Sequence, residues 1–272
     1  MFVLFLRIPH RDLLITFLDV DQGDGILLEM PSGEVCLIDG GSSSIADVGT
    51  RRIESALKYC GISEIDYAFV SHTDSDHFSG MLELMEESGA GSIRIRHLCL
   101  PVFEENENQA LLVATAREKG IPVTFLSSGM TYSFGEVRLT CLHPATGRSY
   151  SSANAASEVL SLTYGSFSAL FTGDLEKEGE QELIHRFSSM EHDLLKVGHH
   201  GSRDASSSAF LEAVSPQLAV ISAGVRNQYG HPHKEVLERL KACGAKIYLT
   251  AEKGQIQVRV DRSGAMTVQS MF

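Results

Sequence analysis

Residues 71–80, SHTDSDHFSG, place two imidazoles and two carboxylates within six consecutive positions: His72, Asp74, Asp76 and His77. The stretch follows the apolar run 67–70 and precedes Met81, Leu82, Leu84 and Met85, a pattern that predicts strand, tight loop and helix. The cluster therefore stands at the carboxyl end of a strand. His72 and Asp74 can converge on one point from the loop, while Asp76 and His77 converge from the helix start on a second point nearby. Histidine nitrogen and carboxylate oxygen are ligands of divalent metals. A solvated, helix-capping loop accounts for one or two of the carboxylates but for neither histidine. The helix dipole opposes a cation there by about 0.3–1 kcal/mol. A structural zinc site is worth on the order of 10 kcal/mol, so the dipole does not decide.

The rest of the chain reads as strands with helices between them. Apolar runs at 13–20, 26–30, 35–38, 123–126, 137–142, 159–164, 168–172, 194–197, 218–222, 247–250, 256–260 and 266–269 are separated by turn residues. Helical spacing marks 53–60, 105–119 and 233–243, the last started by Pro232. With 272 residues, 43% of them hydrophobic, and no Pro/Gly/Ser linker, residues 1–272 are expected to form one domain. The apolar run 1–6 is broken by Arg7, Pro9, His10 and Arg11, too short for a signal sequence or a membrane span. A soluble chain without membrane insertion is expected. Five scattered cysteines read as reduced core thiols rather than a disulfide framework.

Further ligand-type residues fall just past other strands: Asp174 after 168–172, His199 and His200 after 194–197, and His231 after 218–222. Ligands commonly bind off strand carboxyl ends, which makes the repetition an argument in itself. Each has a plainer explanation. Asp174 could cap a helix, His199 could be a packed histidine, and His231 could be a ligand, a general acid or a cap. Lys196 lies in an apolar strand, where a lysine is seldom buried unless paired; it reads either as half of a salt bridge or as a cation for phosphate. Arg94 and Arg96 share one strand face, either solvated or following phosphates.

The 71–80 stretch resembles the His-x-His-x-Asp-His motif of the metallo-β-lactamase superfamily, with Asp74 in place of the second histidine. With FLDVDQGD (17–24), LIDGG (37–41), FTGD (171–174), LKVGHHGS (195–202) and YGHPH (229–233), it resembles one branch, the metallo-domain of the ComEC family of DNA-uptake proteins. Asp21 departs from that branch, which usually has glycine there. The resemblance implies an α/β fold, an αββα sandwich of two mixed sheets with helices outside. It also implies one or two divalent metal ions, with His72 and Asp74 on the first, Asp76, His77 and His199 on the second, and Asp174 between them. A further histidine of the superfamily, from the connection before the strand at 159, is missing. Only Asn154 is offered there, with His143 the nearest imidazole in sequence. Three aspartates make the set oxygen-rich and shift preference from zinc towards manganese.

Two such metals can acidify a shared water and hold an in-line displacement, and the resemblance points to hydrolysis of single-stranded DNA. Asp76, His231 and Lys196 are then the candidate catalytic residues. A hydrolase of a small phosphoester, thioester or lactam, and a non-catalytic metal-containing module that binds DNA, are the competing readings. The net charge of −12 excludes broad, tight nucleic-acid binding and confines contacts to a cleft. A membrane channel is the implied partner. The chain would be cytoplasmic if free-standing and extracytoplasmic as part of such a channel.

Overall fold

The computed structural model describes residues 11–87, 91–102 and 106–271. The apolar run 1–6 and the predicted helix start at residue 105 lie outside them. The first half runs β1 (Leu13–Phe17), β2 (Gly25–Glu29), β3 (Val35–Gly40), a π-helical turn (Gly49–Ile53), α1 (Glu54–Tyr59), β4 (Glu64–Ile65), β5 (Tyr67–Phe69), α2 (Ser75–Glu86), β6 (Arg94–Ile95), β7 (Leu98–Pro101), α3 (Glu107–Glu118) and β8 (Val123–Leu126). The second runs β9 (Thr131–Phe134), β10 (Val137–His143), β11 (Val159–Tyr164), β12 (Phe167–Phe171), α4 (Lys177–Arg186), β13 (Leu194–Lys196), a 3-10 turn (Gly198–Gly201), α5 (Ser208–Val214), β14 (Leu218–Ile221), α6 (Lys234–Ala242), β15 (Lys246–Leu249), α7 (Thr250–Lys253), β16 (Gln255–Val260) and β17 (Met266–Met271).

Among the described residues, one sheet has the order β17-β16-β1-β2-β3-β5-β7-β8 and a second the order β15-β14-β13-β12-β11-β10-β9. Both are mixed. Strands β3, β5, β7 and β8 run parallel, as do β12 to β15, and the remaining pairs in the two sheets are antiparallel.

The two-residue period of the strands decides the layering. Leu13, Ile15 and Phe17 of β1, Ile26 and Leu28 of β2, and Ala169 and Phe171 of β12 meet in the layer between the sheets. Leu27 and Leu37 face out against Leu57 of α1, Met81 and Leu84 of α2 and Leu112 of α3. Leu170, Leu195 and Ala219 face out against Leu183 of α4, Phe210 of α5 and Val236 of α6. The αββα sandwich expected from the resemblance is what the chain forms. Phe17, Phe69, Phe167 and Phe171 fill its middle, each contributing about 1.5–3 kcal/mol by burial.

At one end of the sandwich the strand-end loops of both sheets touch. Gly173, with φ +50°, approaches residue 71 so closely that an added Cβ would lie 2.6 Å from Ser71 Cβ. A Cβ at Gly23 would lie 2.7 Å from the Asp76 carbonyl oxygen. Only glycine permits both approaches, and they draw three loops into one cluster. Asp21, the departure from glycine, carries φ 62°. Aspartate is among the few side chains that tolerate that region, so the loop keeps its path.

Arg94 and Arg96 pair with Glu64 at 3.0 and 2.7 Å, and Arg96 also reaches Asp66 at 3.7 Å. That face is a solvated ion-pair network. None of the five cysteines is in a disulfide; Cys36, Cys99 and Cys141 are core thiols as expected, while Cys60 and Cys243 are only partly buried. Among the described residues no helix is long and apolar enough to cross a membrane.

Candidate metal centre

Asp174 is the hub of the cluster. His77 Nε2 lies 3.2 Å from its Oδ1, and His200 Nε2, His199 Nε2 and His72 Nε2 lie 3.5, 3.7 and 4.0 Å from its Oδ2. Four imidazoles thus present the same ring nitrogen to one carboxylate. Asp76 Oδ2 stands 3.4 Å from His200 Nε2, and Asp74 Oδ2 3.6 Å from His72 Nε2. Asp24, at the start of β2, completes a compact group. One ligand atom from each of Asp24, His77, Asp174 and His200 lies within 4.8 Å of all the others, and all four residues are buried.

The far side of three rings explains the orientation. His77 Nδ1–H donates to Asp39 Oδ2 at 2.9 Å, His200 Nδ1–H to the Ser222 carbonyl at 3.0 Å, and His199 Nδ1–H to Glu176 Oε1 at 2.9 Å. Each acceptor takes a hydrogen only, so the proton is fixed on Nδ1 and the Nε2 lone pair faces inward. Asp39 is held in turn by Ser71, whose N–H and Oγ–H both donate to it at 2.7 Å. This is the outer support that metal-ligating histidines ordinarily have. The 3-10 turn after β13 holds both His199 (φ 45°) and His200 (φ 51°) in left-handed backbone, at about 1–3 kcal/mol each. That conformation sets two adjacent histidines against one carboxylate.

The buried Nε2 atoms of His72, His77 and His200, Asp174 Oδ1 and Asp24 Oδ1 have no hydrogen-bond partner. An unsatisfied buried polar group costs about 1–3 kcal/mol, so five converging on one spot fit a divalent cation. The fields agree. Burial opposes the charge on Asp174, but His200 and His77 outweigh it and hold the carboxyl well below its usual range. Burial likewise opposes charge on Asp76, yet His200 and His77 bring it down to about 2. Burial disfavours protonated His77 and His200, and Asp174 with Asp39 or Asp24 raises both nevertheless. A site that pulls protons onto its imidazoles is a site of strongly negative potential.

Helix capping accounts for none of these acids and histidines. Asp74 occupies the N-cap position of α2 but makes no capping hydrogen bond. The N-cap of α4 is Glu176, not Asp174, and that of α6 is His233, not His231. Lys196 is buried, with its ammonium against Asp24 and donating to the Gly173 carbonyl at 2.9 Å. It is half of an internal ion pair and offers no face to a substrate phosphate. His231 is half-buried, its ring centroid 5.5 Å from that of His199 and 6.2 Å from that of His200.

Residues 18–225 match the family described as the metallo-beta-lactamase superfamily. The chain belongs to that superfamily. It is 30% identical over 269 residues to ComE operon protein 3 of Bacillus subtilis, covering 93% of this chain and 34% of that protein. It is likewise 30% identical over 258 residues to competence protein ComA of Neisseria gonorrhoeae, covering 94% and 34%. The chain thus spans about a third of the length of these relatives. The metallo-β-lactamase fold protein YhfI of Bacillus subtilis shares its fold, with a TM-score of 0.55 at 12% identity over 87% of this chain and 96% of that one. The superfamily fold binds divalent metals, and here Asp and His residues form the candidate site.

The histidine missing from the superfamily pattern is not replaced by His143. That imidazole donates Nδ1–H to the Ser157 carbonyl at 2.8 Å and packs on Tyr150, while Ser157 Oγ accepts from the Asp174 amide at 3.2 Å. His143 stands behind the centre. The connection before β11 reaches His72 with Ala153 and Ala156, which line a void of about 10 Å³ beside it.

Proposed function

We propose that the chain is a metal-dependent phosphodiesterase acting on DNA, single strands in particular. The observation that carries the reading is the convergence of four imidazole Nε2 atoms on Asp174. His72 and Asp74 would hold one ion and Asp76, His77 and the 199–200 pair the other, with Asp174 shared and Asp24 beside it. Bound divalent ions supply Lewis acidity towards phosphoryl oxygens and acidify water near them. The chain's own groups orient the ligands through Asp39, Glu176 and the Ser222 carbonyl. Lys196 holds Asp24 in place. DNA as substrate rests on the competence proteins among the relatives, and a membrane channel as partner on the resemblance to the ComEC family of DNA-uptake proteins. That Asp24 and His77 come from one sheet's loops and Asp174 and His200 from the other's supports reading residues 1–272 as one domain.

The test is metal analysis of the purified chain, then hydrolysis of end-labelled single-stranded DNA with manganese, zinc or magnesium. Cleavage with one of them is expected. Metal and strand binding without hydrolysis would instead indicate a binding module, and turnover of small esters alone a different hydrolase. Asp74→His, which restores the commoner superfamily motif, is expected to move preference towards zinc, since it trades a hard oxygen for an imidazole. An unchanged manganese-to-zinc affinity ratio in competitive titration would remove Asp74 from the ligand set.

A further inference from the structure

A groove of about 690 Å³, lined among others by Arg51, Arg52, Tyr59 and Val225, contains none of the candidate ligands themselves. Tyr59 is 82% exposed and Val225 74%, an open aromatic face and an open aliphatic one lining the same groove. The cations there are largely unspent. Arg51 reaches only Asp47, at 3.5 Å, in a pair whose two side chains are mostly exposed and which is therefore weak. Arg52, and the exposed Arg226 next to Val225, make no ion pair among the described residues. Two acids, Asp19 and Glu252, also line the groove. Asp19 is turned back on its own loop, accepting from the Asp21 amide at 3.3 Å.

The groove and the centre share loops. The wall at Leu18 and Asp19 continues to Asp24, and the wall at Val225 continues through Arg226 and Tyr229 to His231. Tyr229, 49% exposed, stacks on His231 with centroids 5.6 Å apart and planes 22° apart. Exposed guanidinium groups and aromatic rings thus occur together in the groove, at Arg51, Arg52 and Tyr59, and on the loop from Val225 to His231, at Arg226 and Tyr229, in a chain whose net charge is −12. Cations for phosphates, and rings that any base can stack on, are what an unpaired strand requires and a duplex with buried bases does not use.

We infer that this groove seats the single strand that flanks the phosphodiester in the centre. Arg51, Arg52 and Arg226 take its phosphates, and Tyr59 and Tyr229 offer stacking faces to its bases. The inference rests on the phosphodiesterase reading and adds to it a polymeric substrate held at positions away from the reacting bond.

The experiment measures fluorescence anisotropy of a phosphorothioate oligothymidylate of about 16 nucleotides on the full chain with its metal retained, the phosphorothioate linkages slowing hydrolysis during the reading. A double R51E/R52E variant is expected to weaken binding at least about tenfold and to lower the slope of log K against log salt by roughly 0.7 for each phosphate no longer neutralised. Tyr59→Ala is expected to cost about tenfold, and Tyr59→Phe, which keeps the ring, much less. Turnover of bis(p-nitrophenyl) phosphate should stay within about twofold in all three, because none of these residues touches the centre. Unchanged affinity and salt slope in the double variant, or no binding by the wild type, would overturn the inference. If the wild type also cleaves strands, the phosphodiesterase reading survives that result. A chain that hydrolyses nothing, but whose strand binding disappears in the variants, would uphold the groove and overturn the phosphodiesterase.

Discussion

Asp174→Asn is expected to abolish hydrolysis and to lower metal content while leaving the fold in place. The carboxylate stands within 4.0 Å of the Nε2 atoms of His72, His77, His199 and His200, so no other single side chain serves as many of the candidate ligands. Asparagine preserves its volume and the amide bond to Ser157 Oγ. It removes the charge that two ions would share. The expected loss exceeds the roughly 10–100-fold that follows when only a ligand's outer support is removed. The same comparison can be made within the chain, since Asp39→Ala strips support from His77 without removing a ligand. Metal analysis, a hydrolysis assay and chemical denaturation together separate the outcomes. Activity of Asp174→Asn within tenfold of wild type, in a folded protein, would refute the shared-carboxylate arrangement.

Why part of this centre was legible in the sequence and part was not follows from where its residues lie. His72, Asp74, Asp76 and His77 fall in one short stretch after a strand, and helix periodicity alone sends them to one end of the sheet. Asp174 and His199 could be placed by their position after strands β12 and β13. Asp24 could not, because FLDVDQGD offers carboxylates at 19, 21 and 24, and periodicity does not say which one turns inward. Its partners decide that: the Asp24 amide donates to the Asp76 carbonyl at 3.0 Å and its side chain meets Lys196, both remote in sequence. His200 was hidden by backbone conformation. Two successive left-handed residues place both histidines of the pair at Asp174, an arrangement that no hydropathy pattern encodes.

The same holds for the elements. Long strands were readable as apolar runs between turn residues, and the buried faces of α2 and α3 from helical spacing. Strand β9, four residues with only Phe134 buried, and α5, a seven-residue helix, are too short to show a period. Helix α4 has Gly179 inside it, packed against Leu175 and the Ala155 carbonyl. The glycine that reads as a breaker is there because nothing larger fits.

His231→Ala is expected to reduce hydrolysis, and what happens to metal content assigns its role, since loss of a general acid would cost roughly 10²–10⁴-fold with the metal retained. Asn227 clamps the residue from both sides, accepting from the His231 amide at 2.8 Å and donating to its carbonyl at 2.6 Å. The ring is thereby fixed against His199 and His200, with Nδ1 buried and without a partner. Burial first, then the neighbouring His200, His199 and His233, push its pKa down to about 4. At neutral pH the ring is therefore unprotonated, and divalent ions nearby would add positive charge and push it lower still. A general acid needs the opposite. The sequence left ligand and acid open, and this geometry favours a neutral imidazole that donates its lone pair. Metal content and activity should then fall together in His231→Ala. The loss should be as large for bis(p-nitrophenyl) phosphate as for DNA, since a leaving group that needs no proton cannot rescue a missing ligand. Full metal content with activity restored on the p-nitrophenyl ester would make His231 the acid after all.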